Sequence, residues 1–367
     1  MKKVNFIYTL FYDFEKKRTT IGGIQTYILN LKKIFEELGY ECVLYQIGNR
    51  TEETTIDDML IKSVSVPGKK NTTKVMNKII NLISGDINND EDIVVFMTDT
   101  LIEKNNFKNS IAIQHGVFWD IPTNDSRGCI RMLLSRAKRA YFNIKKLKYV
   151  KSVVCVDYNF VNWLRTQINY ELSNFTVIPN FTEISQKNVK NNECVNIIFA
   201  RRLFEYRGTK IFTKAIKRLL DENYNIKVTI AGTGEDEEWM KNELKDYENV
   251  LFTTYVSSES LIIHSDKDIA VVPTVGSEGT SLSLLEAMSS QCAVICTNVG
   301  GMTNIVIDGY NGLIISPNSN EIYFAMKKLV EDKELRNDLA KKGYETVKCG
   351  FSLEKWKEKW INVIEGL

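Results

Sequence analysis

Short apolar, β-branched runs alternate with longer amphipathic patterns along almost the whole chain, and this alternation restricts the fold more than any other feature. In the first half, the predicted strands are Val4–Thr9, Glu41–Ile47, Asp92–Met97, Ile111–His115, Ser152–Asp157 and Thr176–Pro179. In the second half, they are Val195–Ala200, Lys227–Gly232, Val250–Val256, Asp268–Pro273, Ala293–Asn298 and Gly312–Ser316. Helical patterns between most of these runs indicate β–α units and parallel sheets.

A polar stretch, Phe181–Glu193, separates the two halves and is the predicted linker. We therefore expect an α/β fold of two Rossmann-like domains, residues 1–183 and 194–350, that face each other across a cleft. In such sheets ligands bind at the carboxyl ends of the strands, so polar residues that directly follow a strand are the first candidates for a site.

Composition excludes several classes of protein. A hydrophobic content of 44% with a net charge of +2 fits a globular, soluble chain, and this charge is too mild for a nucleic-acid-binding domain. The seven cysteines form no CxxC pair, which favours free thiols in a reducing cytoplasm. No apolar run is long enough to cross a membrane, and a first strand explains the N-terminal sequence better than a signal peptide does.

Two carboxylates, Glu278 and Glu286, are separated by seven residues around the predicted start of a helix. The apolar spacing of Thr280–Gln291 predicts that helix, which would place Glu286 about two turns inside it. The small residues Gly279–Ser281 leave the helix N-terminus open and supply candidate N-caps. A helix N-terminus attracts anions, and flanking carboxylates accept hydroxyl protons. A phosphate beside sugar hydroxyls, as in a nucleotide sugar, matches this pattern.

Cations and a histidine follow other predicted strands. Arg202 and Arg207 come after the run Val195–Ala200, where their guanidinium groups could bind phosphate bidentately. Solvated loop arginines are the structural alternative. His115 ends the strand Ile111–His115 and is followed by a glycine, so we expect it to face the cleft, although a purely structural histidine fits as well.

Three other patterns are weaker. Gly22 and Gly23 precede a predicted helix and would allow close approach of a ligand to the backbone. The run Ala231–Gly234 is similar to a dinucleotide-binding fingerprint, but Glu237 stands where the third glycine should be, which weakens a dehydrogenase interpretation. The pairs Asp90/Asp92 and Asp266/Asp268 have DxD spacing, but each directly precedes an apolar strand, so we predict no metal site there.

The segment Arg127–Lys151 contains nine basic residues and no acidic one. Its helical pattern places apolar residues on one face and basic residues on the other. The favoured interpretation is a helix that packs its apolar face on its own sheet. The alternative is a helix that docks on anionic lipid at the inner face of a membrane. The apolar face consists of Ile130, Leu133, Leu134, Ala137, Tyr141 and Ile144.

In combination, these motifs resemble those of glycosyltransferase family 4, retaining enzymes of the GT-B fold. The family's Gly-Arg-Leu-x-x-x-Lys-Gly run corresponds to Arg201–Gly208, with arginine at 201 and 207 in place of the usual glycine and lysine. Its Glu-x7-Glu motif corresponds to Glu278 and Glu286. The remaining matches are Gly22-Gly23, His115, Ile178-Pro-Asn180, Val299-Gly-Gly-Met302 and Asp308-Gly-Tyr-Asn-Gly312.

The resemblance implies a role for each matching residue. Arg202 and Arg207 would bind the donor diphosphate and stabilise the departing nucleoside diphosphate without a metal, and no cofactor is implied. His115 and Glu278 would hold the donor sugar, and the last helix, within 351–367, would return to the first domain, which would bind the acceptor. The implied catalytic residues are His115, Arg202, Arg207 and Glu278. The implied donor-binding residues are Gly22, Gly23, Tyr255, Val256, Gly279, Thr280, Ser281 and Glu286.

The implied activity is transfer of a hexose from a nucleoside-diphosphate sugar, with retention, to an acceptor hydroxyl. A lipid-linked or cell-surface glycan, as in polysaccharide or lipopolysaccharide assembly, is the acceptor that the resemblance favours. Two alternatives stay open: a nucleotide-sugar epimerase of similar fold, and a catalytically silent subunit that partners a transferase. An epimerase would convert the donor with no acceptor present, so product analysis separates these interpretations.

Overall fold

The computed structural model describes residues 2–20, 22–66, 72–117, 129–167, 174–185 and 194–367. These residues form two sheets of mainly parallel strands, covered by helices and facing each other across a cleft. The predicted α/β fold is therefore confirmed. Residues 186–193 of the predicted linker and residues 127 and 128 of the predicted basic helix lie outside the described residues.

The first domain contains an eight-stranded sheet in the order β10-β9-β8-β7-β1-β4-β6-β5. Its strands are parallel except β5, which pairs antiparallel with β6. The hairpin of β2 and β3 lies apart from this sheet. The strands are β1 (Lys2–Tyr8), β2 (Tyr12–Asp13), β3 (Arg18–Thr19), β4 (Tyr40–Ile47), β5 (Glu52–Ile56), β6 (Met59–Val64), β7 (Ile93–Phe96), β8 (Ser110–Gln114), β9 (Ser152–Cys155) and β10 (Phe175–Val177).

The second domain contains a six-stranded parallel sheet in the order β13-β12-β11-β14-β15-β16. In both sheets the central strands are largely buried, because helices cover both faces. The strands are β11 (Val195–Ala200), β12 (Ile226–Ala231), β13 (Val250–Thr253), β14 (Ile269–Val272), β15 (Ala293–Thr297) and β16 (Leu313–Ile315).

The helices follow the predicted periodicity. Those that pack on the first sheet are α1 (Gly23–Glu37), α2 (Thr72–Ser84), α3 (Cys129–Leu147) and α4 (Tyr158–Gln167). Those that follow β11 in the chain are α5 (Thr209–Asp221), α6 (Glu237–Leu244), α7 (Ser260–His264), α8 (Leu282–Ser289), α9 (Ser319–Glu331), α10 (Lys333–Gly350) and α11 (Leu353–Glu365).

Four strands that the sequence did not predict lie at the margin of the first domain. Strands β2, β3 and β5 have polar sequences such as Glu52-Glu-Thr-Thr-Ile56, in which the outward side chains are charged or hydroxylic. An edge strand needs few apolar residues because only one side of it is paired. Strand β6 is more apolar, and it was missed together with its edge partner.

The last helix, α11, returns to the first domain, as predicted. Trp356 and Trp360 are almost fully buried in the core of that domain. The indole N–H of Trp360 donates to the Tyr27 hydroxyl of α1 over 2.9 Å, and Trp356 meets the Tyr27 ring edge to face. The two tryptophans therefore join the end of the chain to its first helix.

Helix α3 contradicts the favoured prediction for the basic segment. Only its C-terminal half packs on the first sheet, through Ala140, Asn143 and Leu147. Of the six apolar residues predicted to pack there, Ile144 alone is partly buried against the core; the other five are exposed. The helix itself was predicted correctly, but the side of it that contacts the protein differs from the predicted apolar face. No helix among the described residues is long and apolar enough to span a membrane.

Candidate active site

Two adjoining cavities lie in the cleft, at the carboxyl ends of the strands of both domains. One, of about 500 Å³, is lined by Asp99, His115 and Glu278, and we call it the Glu278 cavity. The other, of about 720 Å³, is lined by Tyr255 and Glu286, and we call it the Glu286 cavity. The residues that line both cavities are Gly23, Arg201, Arg202, Leu282 and Ser283.

The Glu278 carboxylate is held by three donors on a single oxygen, Oε2. Arg201 Nη2 donates to it over 2.6 Å and Thr274 Oγ1 over 2.8 Å, and Arg207 Nη1 donates as well. Both guanidinium groups and the carboxylate are largely buried. We call these four residues the Glu278 cluster. With two cations and one anion, it carries a net positive charge at the wall of the cavity.

The cluster determines the protonation state of Glu278. Burial alone would raise the pKa of this carboxyl, but the guanidinium groups of Arg207 and Arg201 and the Thr274 hydroxyl outweigh it and lower the pKa to about 2. Glu278 is therefore ionised at neutral pH. A carboxylate of such low basicity, with one oxygen already saturated, is a poor proton acceptor.

Of the two consecutive arginines, Arg201 is the one that pairs with Glu278. Its side chain is buried and also donates to Thr274 Oγ1 over 2.7 Å, whereas Arg202 is exposed and lies over the Phe204 ring. Arg202 has no ion pair among the described residues, and it lines both cavities. Sequence motifs could not distinguish the two arginines, because which of two consecutive side chains turns inward depends on the strand end that carries them.

The loop before α8 is clamped between the two domains. A Cβ atom on Gly279 would lie 2.7 Å from Val156 Cγ2 and 2.8 Å from the His115 carbonyl oxygen, both in the first domain. A Cβ atom on Gly300 would lie 1.9 Å from the Glu278 carbonyl oxygen, and φ at Gly300 is +58°. Only glycine fits at these two positions. The clamp fixes the Glu278 backbone against both domains.

Helix α8 begins two residues later than predicted. Ser281 is its N-cap residue, and neither it nor Thr280 caps the helix with its side chain. The Thr280 hydroxyl donates to the Val156 carbonyl, and the Asn180 side chain donates to the Thr280 carbonyl over 2.6 Å. Glu286 is thus little more than one turn into the helix, instead of about two turns. The N-terminus of α8 points at the cleft without a side-chain cap.

Glu286 and Tyr255 both line the Glu286 cavity. Burial raises the pKa of the Glu286 carboxyl to about 7, and burial together with the nearby Glu286 raises the pKa of Tyr255. Val256 is 45% exposed at the rim. The sequence predicted that Tyr255 and Val256 belong to strand β13. The strand instead ends at Thr253, so both residues lie in the loop that follows it.

His115 lies in the wall of the Glu278 cavity. Its Nε2 is 2.9 Å from the Met97 carbonyl oxygen, so Nε2 carries the hydrogen, and its ring meets Tyr27 edge to face. Burial lowers the pKa of His115 to about 4, against the opposing effect of the Met97 hydrogen bond. His115 is therefore neutral at pH 7. It follows β8 rather than ending it.

Asp99 was missed by the sequence analysis. It is 4% exposed, lines the Glu278 cavity, and its Oδ2 has no hydrogen-bond partner in the described part of the chain. Burial raises the pKa of this carboxyl to about 7, against hydrogen bonds from the Asp99 and Thr100 amides. Asp99 follows β7 closely, so the rule that selected His115 could also have selected Asp99.

Gly22 and Gly23 lie at the start of α1, on the opposite side of the cleft from α8. Both line the Glu286 cavity, and Gly22 is the N-cap residue of α1 without a side-chain cap. A Cβ atom on Gly23 would lie 3.1 Å from Leu282 Cδ1. The N-termini of two helices therefore approach each other at the junction of the cavities, where anions are favoured.

The DxD pairs have structural roles. Asp92 accepts from the Lys3 and Asn88 amides over 2.7 and 2.8 Å, and Asp268 accepts from the Asn196 amide over 2.8 Å.

His264 is buried in α7 with its Nδ1 2.6 Å from the Ser260 carbonyl oxygen. Within the described ranges, no group of three or more histidine, cysteine or acidic side chains is arranged to hold a metal ion.

Comparisons with known proteins add to this geometry. Residues 180–346 match the family described as Glycosyl transferases group 1. Two relatives are uncharacterised glycosyltransferases of Methanocaldococcus jannaschii. One is 29% identical over 235 residues, which are 63% of this chain and 59% of the relative. The other is 26% identical over 353 residues, which are 91% of this chain and 92% of the relative. The capsular polysaccharide biosynthesis glycosyltransferase CapM of Staphylococcus aureus is 26% identical over 46% of this chain and 45% of its own.

Solved structures of low sequence identity have the same fold. Sucrose-phosphate synthase from Thermosynechococcus elongatus superposes with a TM-score of 0.78 at 14% identity over 100% of this chain and 99% of its own. S. aureus TarM, solved as a variant with UDP bound, gives 0.76 at 14% identity over 99% and 100%. Anabaena HepE, in complex with UDP-glucose, gives 0.71 at 12% identity over 100% of each chain.

The matched domain contains β11 to β16 and supplies the site residues Glu278, Glu286, Arg201, Arg202 and Arg207. The structural neighbours show the arrangement of the two domains, and the relatives agree in their general class. The chain thus has the GT-B fold, and its residues 180–346 are similar in sequence to glycosyl transferases group 1.

Proposed function

We propose that the protein is a metal-independent, retaining hexosyltransferase that moves a sugar from a nucleoside-diphosphate sugar to an acceptor hydroxyl. One observation carries this proposal: Arg201 of the Glu278 cluster and the exposed Arg202 both lie where the two cavities meet. Positive charge is thereby concentrated at one point of the cleft, with a nucleoside-sized space on one side and a sugar-sized space on the other.

The donor would lie across both cavities. Its nucleoside would occupy the Glu286 cavity, with the base near Tyr255 and Val256 and the ribose hydroxyls donating to Glu286. Its diphosphate would lie at the junction, beside Arg202 and the open N-terminus of α8. The hexose would lie in the Glu278 cavity, against Glu278 and His115.

The protonation states of Glu278 and His115 favour a reaction in which neither of these residues acts as a base. Glu278 is a weak base, and the hydrogen on His115 Nε2 is held by the Met97 carbonyl. The acceptor oxygen would form its bond to the anomeric carbon on the face from which the diphosphate leaves. The bond from that carbon to the phosphate oxygen breaks, and the acceptor proton passes to the departing oxygen. The configuration at the anomeric carbon is retained.

The arginines would stabilise the charge that develops on the leaving group. Arg202 is free to contact the diphosphate directly, and the excess positive charge of the Glu278 cluster acts from the cavity wall. Fixed cations in a partly dry cleft act more strongly than cations in water, because the dielectric constant is lower. We propose that they take the place of a divalent metal ion, so chelators should leave turnover unchanged.

The acceptor would enter over the first domain, where Asp99 offers an unpartnered carboxylate oxygen to a hydroxyl group. A lipid-linked or cell-surface glycan is the acceptor that we favour. Capsular polysaccharide biosynthesis, in the name of the S. aureus relative CapM, supports this class, and TarM was solved with fondaparinux and alpha-GlcNAc-glycerol bound.

A thermal-shift panel of UDP, GDP, ADP, dTDP and CDP, without metal, tests donor binding. A ligand at about 100 times its Kd contributes about 2.7 kcal/mol of stability, which should raise the unfolding midpoint for one nucleotide. Glu286→Ala should abolish that rise, and the exposed Glu248→Ala serves as the matched control. No rise with any nucleotide would favour the silent partner subunit.

Product analysis tests the chemistry. With the identified donor sugar, the NMR coupling at the anomeric centre of the product distinguishes retention from inversion. Inversion would refute the front-face mechanism and would make Asp99 the candidate base. Conversion of the donor in the absence of an acceptor would instead support the epimerase.

A further inference from the structure

Helix α3 projects from the first domain with an apolar surface that the described protein does not cover. Among its side chains from Ile130 to Arg139, none is buried. Large apolar side chains on a solvated helix are unusual when they are contiguous, and such a surface indicates an interaction site. The exposed fractions are 75% for Ile130, 56% for Leu133, 65% for Leu134, 60% for Tyr141 and 49% for Phe142.

Four of the exposed apolar residues form a stripe rather than scattered points. At 3.6 residues per turn, Ile130, Leu134, Ala137 and Tyr141 fall within about 60° of one another around the helix axis. The side that contacts the protein, through Ala140 and Leu147, lies on average about 100° away. Helix α3 therefore has two apolar stripes, of which only one is buried.

A basic row borders the uncovered stripe. Arg131, Lys138 and Lys145 recur every seven residues, so they lie in line along the helix, next to Leu134 and Tyr141. All three are exposed, and none has an ion pair within the described ranges. The absence of acidic residues from 127 to 151 means that no carboxylate of this segment offsets their charge.

We propose that α3 docks on an anionic lipid bilayer, with its uncovered stripe in the boundary between headgroups and acyl chains. Apolar side chains flanked by lysine and arginine on a helix parallel to the surface are what such a boundary binds. The surface of the bilayer is negative, and it therefore matches the basic row. A protein partner would have to be apolar and acidic along the same line.

Helix α3 contacts a turn that lines the cleft. Its C-terminal half packs on the turn Asp99–Leu101, and Lys146 Nζ pairs with Glu103 over 2.8 Å. The same turn lines the Glu278 cavity. Docking would thus bring the acceptor side of the cleft near a lipid-borne glycan; this consequence rests on the proposed function, whereas the docking does not.

Co-sedimentation with vesicles tests the docking. The full chain should bind vesicles of phosphatidylcholine that contain one third phosphatidylglycerol, and not vesicles of phosphatidylcholine alone. Replacing Arg131, Lys138 and Lys145 together by glutamine should weaken binding on the order of a hundredfold, because each basic residue near the surface contributes about fivefold. Leu134→Ser with Tyr141→Ser should weaken it at least about tenfold.

Matched variants control for charge and for apolar surface. Replacing by glutamine three lysines that are exposed on α10, Lys333, Lys341 and Lys348, gives the same change in net charge. Leu251→Ser with Ile262→Ser removes exposed apolar side chains from the second domain. Both should bind vesicles like the wild type. Equal losses in control and α3 variants, or no vesicle binding, would overturn the proposal. So would dissociation of an oligomer by Leu134→Ser with Tyr141→Ser without a change in vesicle binding. Nucleotide-induced thermal shifts, unchanged in all variants, keep this result separate from the proposed function.

Discussion

Asp99→Asn should stabilise the protein while it impairs transfer. In the folded chain the pKa of Asp99 is about 7, against an ordinary value of 3.8. Because a pKa shift of one unit on folding corresponds to about 1.36 kcal/mol, the ionised carboxylate costs about 4 kcal/mol of folding free energy above pH 7. Asparagine keeps the shape and an oxygen for the Asp99 and Thr100 amides, but it carries no charge that has to be desolvated.

The pH dependence distinguishes this effect from ordinary repacking. Between about pH 4 and pH 7 the folded protein keeps the proton on Asp99, whereas the unfolded chain has released it. The wild type therefore loses stability relative to Asp99→Asn as the pH rises through this window, and the difference becomes constant above it. Urea denaturation at intervals from pH 4 to pH 8, with the exposed Glu248→Gln as control, measures this difference.

Activity provides the second measurement for the same variant. If Asp99 Oδ2 accepts a hydrogen bond from the acceptor, kcat/KM for the acceptor should fall about tenfold to a hundredfold, with nucleotide binding unchanged. A stability difference that does not change with pH would refute the electrostatic reasoning. Normal transfer would remove Asp99 from the acceptor site.

Three other substitutions distinguish the roles of the site and of the scaffold. Glu278→Gln should abolish transfer and cost about 3–5 kcal/mol in urea denaturation, because it leaves the buried Arg201 without a counter-charge; unchanged stability would contradict the cluster. Arg202→Ala should lower kcat/KM at least about a hundredfold at an unchanged denaturation midpoint, and normal turnover would exclude it from diphosphate binding. Trp360→Phe should cost about 1–3 kcal/mol, since the Tyr27 hydroxyl loses its donor, while nucleotide-induced thermal shifts persist; full stability would show that this bond contributes nothing.

Much of the fold could be predicted because its determinants are local. Buried parallel strands are continuous apolar runs, and amphipathic helices repeat every 3.6 residues, so β11 and the helical patterns between the strands were predictable from the local sequence. The polar edge strand β5 was not, since its pairing partner rather than its own sequence makes it a strand. The helix that carries Glu286 was predicted too long because no side chain caps its start.

What the sequence by itself determined is the order of most elements, the two-domain α/β fold and many of the residues brought to the cleft. Periodicity and strand ends decide these, and both are properties of adjacent residues. Only the tertiary structure decided that Arg201 rather than Arg202 pairs with Glu278, that Asp99 is buried with an unpartnered oxygen, and that α3 leaves an apolar stripe uncovered. Pairing, desolvation and exposure depend on residues far apart in the chain, and they become defined when the two domains and α11 are packed together.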